Sequence, residues 1–360
     1  AKHHHDDTNA SPLGQQACPR GSNAERGAYF NRKSAYMLIA AATILAGFIV
    51  LIWSADLFVD GAASIAENLG MSPIIIGVTI VSLGTSAPEV LVSLNASVTG
   101  AGSLAIGNAI GSNIANIGMV LGTTLLIAPL MVHQSCMKKE LPLLLLATAG
   151  GAILILDGEL SALDGGLMLG GLTILLWRMI TTQIADPALS EEAEGEALPH
   201  LKPLRAWVSF ILGLALLIGS ARMLVYGAVI AAQELGVSEL VIGLTIVAIG
   251  TSLPELAATV ASALRGHTEI ALGNIIGSNL FNLLAVMAIP GIVSTQALDP
   301  HILTRDYPAM SLFTVGMAAA IFFSRRRSKS RADHAYIGRI VGVLLLVSYA
   351  LYYYWLHTTL

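Results

Sequence analysis

Charged side chains are scarce in this sequence. Only 12% of its 360 residues are Asp, Glu, Lys or Arg, whereas about 25% is usual in soluble domains. So few charges cannot cover the surface of a soluble protein of this length. The net charge of −4 also gives no basic field that would attract a nucleic acid. The composition therefore argues against both a soluble enzyme and a nucleic-acid-binding protein.

Cysteine is nearly absent as well. Cys18 and Cys136 alone cannot form the framework of a small disulfide-stabilised protein. Apolar residues are abundant instead: 55% of the chain is hydrophobic, and its mean hydropathy is +0.73. This balance is typical of a protein embedded in a lipid bilayer.

Ten apolar stretches follow a polar beginning. Most reach the roughly 20 residues that a helix needs to cross the hydrocarbon core, and they do not alternate between apolar and polar residues as barrel strands would. We therefore expect an all-α integral membrane protein with ten transmembrane helices. The expected spans are residues 36–58, 73–98, 103–129, 141–157, 162–181, 205–232, 239–264, 269–293, 308–324 and 337–356.

The segments outside the spans predict the orientation of the chain. Residues 1–34 begin with three histidines after Ala1 and Lys2, and are interpreted as an expression tag and a disordered tail. Residues 183–204 form an acidic linker, and residues 324–333 form a basic loop. The positive-inside rule places the basic loop in the cytoplasm. With ten spans, the linker then also lies in the cytoplasm and both termini lie outside.

The two halves of the chain repeat one another at an offset of 166 residues. The segment 77–116 aligns without a gap to 243–282, and 18 of the 40 aligned positions are identical. We therefore predict a first repeat at residues 35–182 and a second at 205–360. Five spans in each repeat is an odd number, so the second repeat would be inverted in the membrane. Inverted repeats are common in transporters, whose substrate sites lie near the midplane.

Each repeat contains a Gly-Thr-Ser-x-Pro-Glu motif, ending at Glu89 and Glu255. Pro88 and Pro254 cannot donate a backbone hydrogen bond, so each helix is expected to break there. A carboxylate within a membrane span is costly and usually marks an ion pathway. The alternative is that both glutamates are protonated and only hydrogen-bond between helices.

Other polar groups are expected to join these carboxylates. Their spacing of three or four residues places them on shared helix faces. Oxygen ligands without His or Cys suit hard cations such as Ca²⁺ and Na⁺. Asn108, Asn113 and their repeat equivalents could be either ligands or hydrogen-bonding partners between helices. The predicted cation ligands are Glu89, Glu255, Thr85, Thr251, Ser86, Ser252, Ser112, Ser278, Asn116 and Asn282.

With a Gly-Asn-x-x-Gly-Ser-Asn segment after each motif, the sequence resembles the calcium/cation antiporter superfamily, which contains the sodium/calcium exchangers. The resemblance covers residues 36–356 and is greatest to the short bacterial calcium/sodium antiporters. It implies the sodium/calcium exchanger fold, with the first and sixth spans as moving gates. Asn282 differs from exchangers with Asp at this position. Gly111 and Gly277 replace the Glu typical of proton-coupled members, which favours Na⁺ over H⁺.

The expected function is secondary active antiport at a bacterial inner membrane. Ca²⁺ would exchange for Na⁺ by alternating access at a midplane site with two glutamates. A Ca²⁺/H⁺ or K⁺-linked antiporter is the alternative, and a cation channel is a third reading. We expect no enzymatic activity, no cofactor and no nucleic-acid partner; the partners are the two ions and the bilayer. A monomer is compatible with the sequence. Asp56 and Asp60 lack acidic equivalents in the second repeat, which suggests an ion pair or a membrane-edge anchor.

Overall fold

The computed structural model of this protein describes residues 23–184, 201–237, 246, 248–327 and 334–359. Several predicted segments therefore lie outside the described residues. They are most of the tail, most of the acidic linker, the larger part of the basic loop, and the start of the expected seventh span.

Two long helices, α1 (Asn23–Leu69) and α10 (Pro203–Glu234), contain the expected first and sixth spans. They are mainly apolar and pack against each other through glycines. A Cβ atom added to Gly61 would lie less than 3.0 Å from the backbone of Phe210, and one added to Gly213 would do the same at Phe58. α1 and α10 are therefore held in close contact along the bundle.

The tail boundary expected at residue 34 differs from the structure, in which α1 already begins at Asn23. The segment that precedes the first apolar run contains Ala24, Glu25, Arg26 and Ala28, which are good helix formers or small residues, and no proline. The apolar span therefore continues towards the N-terminus as a polar helix.

Shorter helices make up the rest of each half. In the first half they are α2 (Pro73–Ile76), α3 (Ser82–Thr85), α4 (Ala87–Val98), α5 (Gly102–Ala115), α6 (Gly122–Ile127), α7 (Gln134–Lys138), α8 (Glu140–Leu154) and α9 (Ala162–Ile184). In the second half they are α11 (Ala248–Thr251), α12 (Leu253–Leu264), α13 (Thr268–Phe281), α14 (Ala288–Val293), α15 (Tyr307–Arg327) and α16 (Arg339–Thr359).

In the part of the chain that the structure describes, four complete π-helical turns join some of these helices into longer rods. Two of them begin at equivalent asparagines, one at Asn116 after α5 and one at Asn282 after α13. A π-helical turn widens the helix locally and is often found at functional sites. The four turns are Gly77–Val81, Asn116–Leu121, Asn282–Val286 and Ile302–Asp306.

The turns after the long and the broken helices also follow the repeat. Gly70 and Gly236 have φ of 62° and 79°, and Gly100 and Gly266 have φ of 81° and 86°. At each of these four turns the following residue donates its N–H to a carbonyl five positions earlier. This closing geometry requires a left-handed residue, which glycine adopts without a steric cost. Both pairs are separated by 166 residues, so the repeat extends to the helix ends.

Two small antiparallel sheets, which the all-α expectation did not include, join the loops. In the first, β1 (Leu130–His133) pairs with β4 (His334–Ile337). In the second, β2 (Glu159–Leu160) pairs with β3 (Gln296–Ala297). β1 and β3 follow equivalent helices of the two repeats and start 166 residues apart, whereas their partner strands β4 and β2 do not keep this offset.

The described residues contain seven helices that are long and apolar enough to cross a membrane, and the bent pair Pro73–Thr85 and Ala87–Val98 adds an eighth. This confirms a multi-pass helical membrane architecture. The count of ten stays a prediction. Two expected spans correspond to α8 with 15 residues, and to α12 with 12 residues beside undescribed ones.

Candidate cation site

The site begins at the two broken helices. α3 ends at Thr85 and α4 starts at Ala87, with a bend of 46° between them. Ser86 at this break has φ −82° and ψ 5°, and Ser252 at the equivalent break has φ −89° and ψ 5°. The proline two residues after each serine lacks the N–H that would continue the helix. The predicted break is therefore present in both halves, with the same backbone conformation.

Each break places a glutamate in the first turn of the helix that follows. Glu89 lies in the first turn of α4 and Glu255 in the first turn of α12. Both side chains are buried, and Ser86, three residues before Glu89, contacts Glu255. The positive end of each helix dipole favours a negative charge at this position. Two acidic groups from opposite halves therefore share one buried region.

Contacts across the two halves bring the motif residues together. The hydroxyl of Ser86 donates to Oε1 of Glu255 at 3.2 Å. Thr85 Oγ1 lies 3.5 Å from Ser278 Oγ on α13. The hydroxyls of the first repeat thus contact the carboxylate and hydroxyl of the second.

Nine of the ten predicted ligand residues are buried, and Thr251 is half-buried. Ser112 and Ser278 lie one turn before the π-helical turns that start at Asn116 and Asn282. Asn108 and Asn274 connect these helices to the broken ones, because each donates to the main-chain carbonyl of a glutamate. The two distances are 3.4 Å to Glu89 O and 3.5 Å to Glu255 O.

Several buried polar atoms of this region have no hydrogen-bonding partner among the described residues. They include one carboxylate oxygen of each glutamate, the hydroxyl of Ser252, and both side-chain atoms of Asn116 and Asn282. An unpartnered buried polar atom costs free energy. A bound cation or water would supply the missing partner to the oxygens.

The donor set consists of oxygen atoms, which fits Ca²⁺ or Na⁺ better than Zn²⁺. Across the described residues, no group of three or more His, Cys, Asp or Glu side chains is arranged to hold a metal ion. Two carboxylates supplemented by hydroxyl and amide oxygens match the ligand preferences of a hard cation.

Two polar interactions were not identified from the sequence. Thr259 accepts a hydrogen bond from Asn274 Nδ2 at 2.9 Å. Thr259 lies four residues after Glu255, a spacing that could have placed it on the same helix face. The second interaction is the ion pair of Arg265 with Asp56 and Asp60, for which the sequence suggested either an ion pair or a membrane-edge anchor. Arg265 Nε lies 3.1 Å from Asp56 Oδ1. Arg265 is distant in sequence, so spacing gave no signal for it.

The other motif asparagines form different contacts. Asn113 Nδ2 lies 3.3 Å from the sulfur of Met310, and Asn279 Nδ2 donates to Ile275 O within its own helix. The motif glycines have a packing role in α13. A Cβ atom added to Gly273 would lie 3.0 Å from Gly77 Cα. Gly273 therefore lets α13 lie close to the π-helical turn that begins at Gly77, whereas no described residue lies within 4 Å of a Cβ at Gly107 or Gly111.

Comparison with known proteins finds relatives that are similar to this chain over most of its length. CaxA of Alkalimonas amylolytica is 44% identical over 326 residues, covering 90% of this chain and all of CaxA. The inner membrane protein YrbG of Escherichia coli K12 is 38% identical over 330 residues, covering 89% of this chain and 98% of YrbG. The sodium/calcium exchanger MaX1 of Methanosarcina acetivorans is 28% identical, covering 78% and 90%.

A solved structure has the same fold. The sodium-calcium exchanger NCX_Mj, soaked with zero Na⁺ and Ca²⁺, matches with a TM-score of 0.74 and 31% identity, covering 87% of this chain and 97% of that chain. This confirms the expected fold. The sodium/calcium exchanger protein family matches residues 39–181 and 205–357, which together include both broken helices. The chain therefore belongs to the sodium/calcium exchanger family of membrane transporters.

Proposed function

We propose that this protein is a secondary active antiporter that exchanges Ca²⁺ for Na⁺ across a bacterial inner membrane. The observation that carries the proposal is the buried contact between the two repeats, in which Ser86 binds Glu255 beside a second buried carboxylate, Glu89. Membership of the family and the printed names of MaX1 and NCX_Mj support the choice of ions.

Charge balance explains why the two ions would compete. Glu89 and Glu255 together offer two negative charges, which neutralise one Ca²⁺ or two Na⁺ ions. Ca²⁺ takes six to eight oxygen ligands, so two carboxylates need further oxygens. In this proposal the hydroxyl, amide and main-chain oxygens of the two motifs supply them. The full ligand set is Glu89, Glu255, Thr85, Thr251, Ser86, Ser252, Ser112, Ser278, Asn116 and Asn282.

Alternating access would follow from the repeated architecture. A site between two inverted repeats can be opened to either side by equivalent movements of each half. We propose residues 35–182 and 205–360 as these halves, with both termini outside and the acidic linker in the cytoplasm. The packed helices α1 and α10 would move together against the rest, because their glycine contacts leave little room for separation.

The counter-ion is proposed to be Na⁺. Gly111 and Gly277 occupy the positions at which proton-coupled members of the superfamily typically have Glu. Without those carboxylates the site has fewer groups that could carry a proton through each cycle. The similarity of YrbG, which is named an inner membrane protein, supports the proposed location.

Purified protein in liposomes tests the choice of ions. Vesicles loaded with Na⁺, K⁺ or a proton gradient are diluted into ⁴⁵Ca²⁺ at matched osmolarity and clamped membrane potential. The proposal predicts uptake with the outward Na⁺ gradient and little uptake with the other two. Uptake that follows only the proton or K⁺ gradient would contradict the Na⁺ assignment. Uptake that needs no counter-ion gradient would identify a channel.

A further inference from the structure

One buried amide joins both broken helices to α13. Asn274 Oδ1 accepts a hydrogen bond from Thr85 Oγ1 at 3.1 Å, across the interface between the repeats. Its Nδ2 donates to Thr259 Oγ1 at 2.9 Å and to the main-chain carbonyl of Glu255 at 3.5 Å. A single side chain therefore contacts the predicted ligand Thr85 on one side and the backbone of the predicted ligand Glu255 on the other.

Asn274 is buried, so its side-chain amide depends on these hydrogen bonds with the protein. Asn274, Thr85 and Thr259 are all buried, so water does not freely replace their partners. The sequence left Asn274 open as a ligand or a hydrogen-bonding partner, and in the structure its oxygen accepts from Thr85 while its nitrogen donates to Thr259. Its role would therefore be exerted through its neighbours.

The orientation of the Thr85 hydroxyl explains why this matters for a cation. A hydroxyl has one hydrogen and two lone pairs, and it can bind a cation only through a lone pair. The hydrogen must therefore point away from the ion to an acceptor. Without Asn274, the remaining acceptors near Thr85 would be the carbonyl of Ser82, the hydroxyl of Ser278 and the carboxylate of Glu255. A hydrogen directed at the carboxylate would occupy an oxygen that the cation needs.

We propose that Asn274 is a positioning residue of the cation site, which orients the Thr85 hydroxyl so that its oxygen faces the ion and which fixes the backbone at Glu255. The inference rests on the proposed function, because it assumes that the ion binds beside these two residues. It assigns to Asn274 an effect on ion affinity that is transmitted by Thr85, with Thr259 as the anchor that holds the amide in place.

A double-mutant cycle on the purified full chain tests this inference by calorimetric titration with Ca²⁺ in detergent without Na⁺. N274A is expected to raise the Kd for Ca²⁺ about tenfold, because it removes the acceptor that orients Thr85. T85V is expected to weaken binding as well. If Asn274 acts through Thr85, adding N274A to T85V should change Kd less than twofold. The reason is that T85V has already removed the hydroxyl that Asn274 orients, so the two effects are not additive.

Two further variants separate positioning from a general loss of packing. T259V removes the anchor outside the ligand set and is expected to raise Kd about threefold. S262A is the matched control on the same helix, because the buried hydroxyl of Ser262 donates to Ala258 O within that helix. The Kd of this variant should equal that of the wild type. The melting temperature of each variant without ions is measured in parallel. A structural role alone would lower melting temperature and leave Kd unchanged.

The inference is overturned if the Kd of N274A for Ca²⁺ is within twofold of the wild-type value. It is also overturned if the fold-changes in Kd caused by N274A and T85V multiply in the double variant. Should N274A not fold, T259V decides alone: an unchanged Kd contradicts the inference. Failure of the proposed function has a different signature. Wild-type protein that binds Ca²⁺ but does not exchange it in liposomes would contradict antiport and leave the role of Asn274 intact.

Discussion

The hydroxyl of Ser86 donates to the carboxylate of Glu255 at 3.2 Å, although the two residues are 169 positions apart in the sequence. The bond joins the break in one repeat to the acidic helix of the other. The carboxylate of the second half therefore takes a hydroxyl partner from the first half, so the site is built from both halves.

Neutralising either glutamate should abolish exchange. E89Q and E255Q each keep the shape of the side chain and remove one of the two buried charges. We expect Ca²⁺ uptake in Na⁺-loaded liposomes to fall at least about 100-fold, because losing one member of a buried charge arrangement costs about 3–5 kcal/mol. E159Q alters an exposed glutamate on β2 and should transport normally. Retained uptake in either site variant would remove that carboxylate from the site.

A third carboxylate at Asn282 should strengthen Ca²⁺ binding and make it depend on pH. N282D replaces an amide whose two polar atoms have no partner among the described residues. Adding a charged ligand should lower the Kd for Ca²⁺ about tenfold at pH 8, since ligand charge governs Ca²⁺ affinity. Protons should cancel this gain at pH 6, because three close carboxylates cannot all stay ionised without a cation.

Calcium titrations at pH 6 and pH 8 measure this effect, and N116D is the matched variant in the first repeat. The wild type should show a weaker dependence on pH than N282D. Equal affinity of N282D and wild type at both pH values would indicate that residue 282 does not contact the ion.

The sequence predicted those site residues that both repeats preserve. Glu89 and Glu255 could be found because both halves preserve the same motif, and Pro88 and Pro254 predicted the breaks by a local chemical rule. The start of α1 at Asn23 could not be found from hydropathy, because a polar helix can extend an apolar one beyond the membrane boundary. Helix ends are set by local backbone preferences as well as by hydropathy.

The close packing of α1 and α10 predicts opposite effects for two glycine substitutions. A methyl group at Gly61 would overlap the backbone of Phe210, whereas none of the described residues provides an atom within 4 Å of a Cβ at Gly219. G61A should lower stability by about 1–3 kcal/mol through overpacking. G219A should be neutral or raise it by up to about 1 kcal/mol, because alanine favours helix. Thermal unfolding in detergent compares them, and equal shifts would argue against tight packing at Gly61.

Arg265 should contribute little to stability despite binding two carboxylates. It is 32% exposed, and its partners Asp56 and Asp60 are 46% and 29% exposed. Solvent screens such pairs, so R265A should cost less than about 1 kcal/mol and the cost should shrink in high salt. Denaturation at 0.05 M and 1 M NaCl measures it. R265A also leaves Asp56 and Asp60 without their cation. The variant D56N/D60N/R265M removes all three charges and controls for this effect. A salt-independent loss of several kcal/mol in R265A would contradict this assessment.

Contacts between residues on different helices could not be predicted from the sequence. The spacing rules that place Thr85, Ser86 and Glu89 on one face apply within a helix. They do not predict that Asn274 contacts Thr85, or that Arg265 contacts Asp56, because those contacts depend on how separate helices pack. The candidate residues could therefore be predicted, whereas the pattern of bonds among them required the structure.

Accumulation of Ca²⁺ against its own gradient is the most direct test of two-glutamate antiport. Liposomes containing the wild type are loaded with Na⁺, diluted into Na⁺-free buffer, and their free internal Ca²⁺ is followed with an encapsulated dye at clamped membrane potential. We predict that internal Ca²⁺ rises above the external concentration, falls back when a Na⁺ ionophore removes the gradient, and does not rise with E255Q. Internal Ca²⁺ that only equals the external concentration, with or without the Na⁺ gradient, would contradict the proposed exchange.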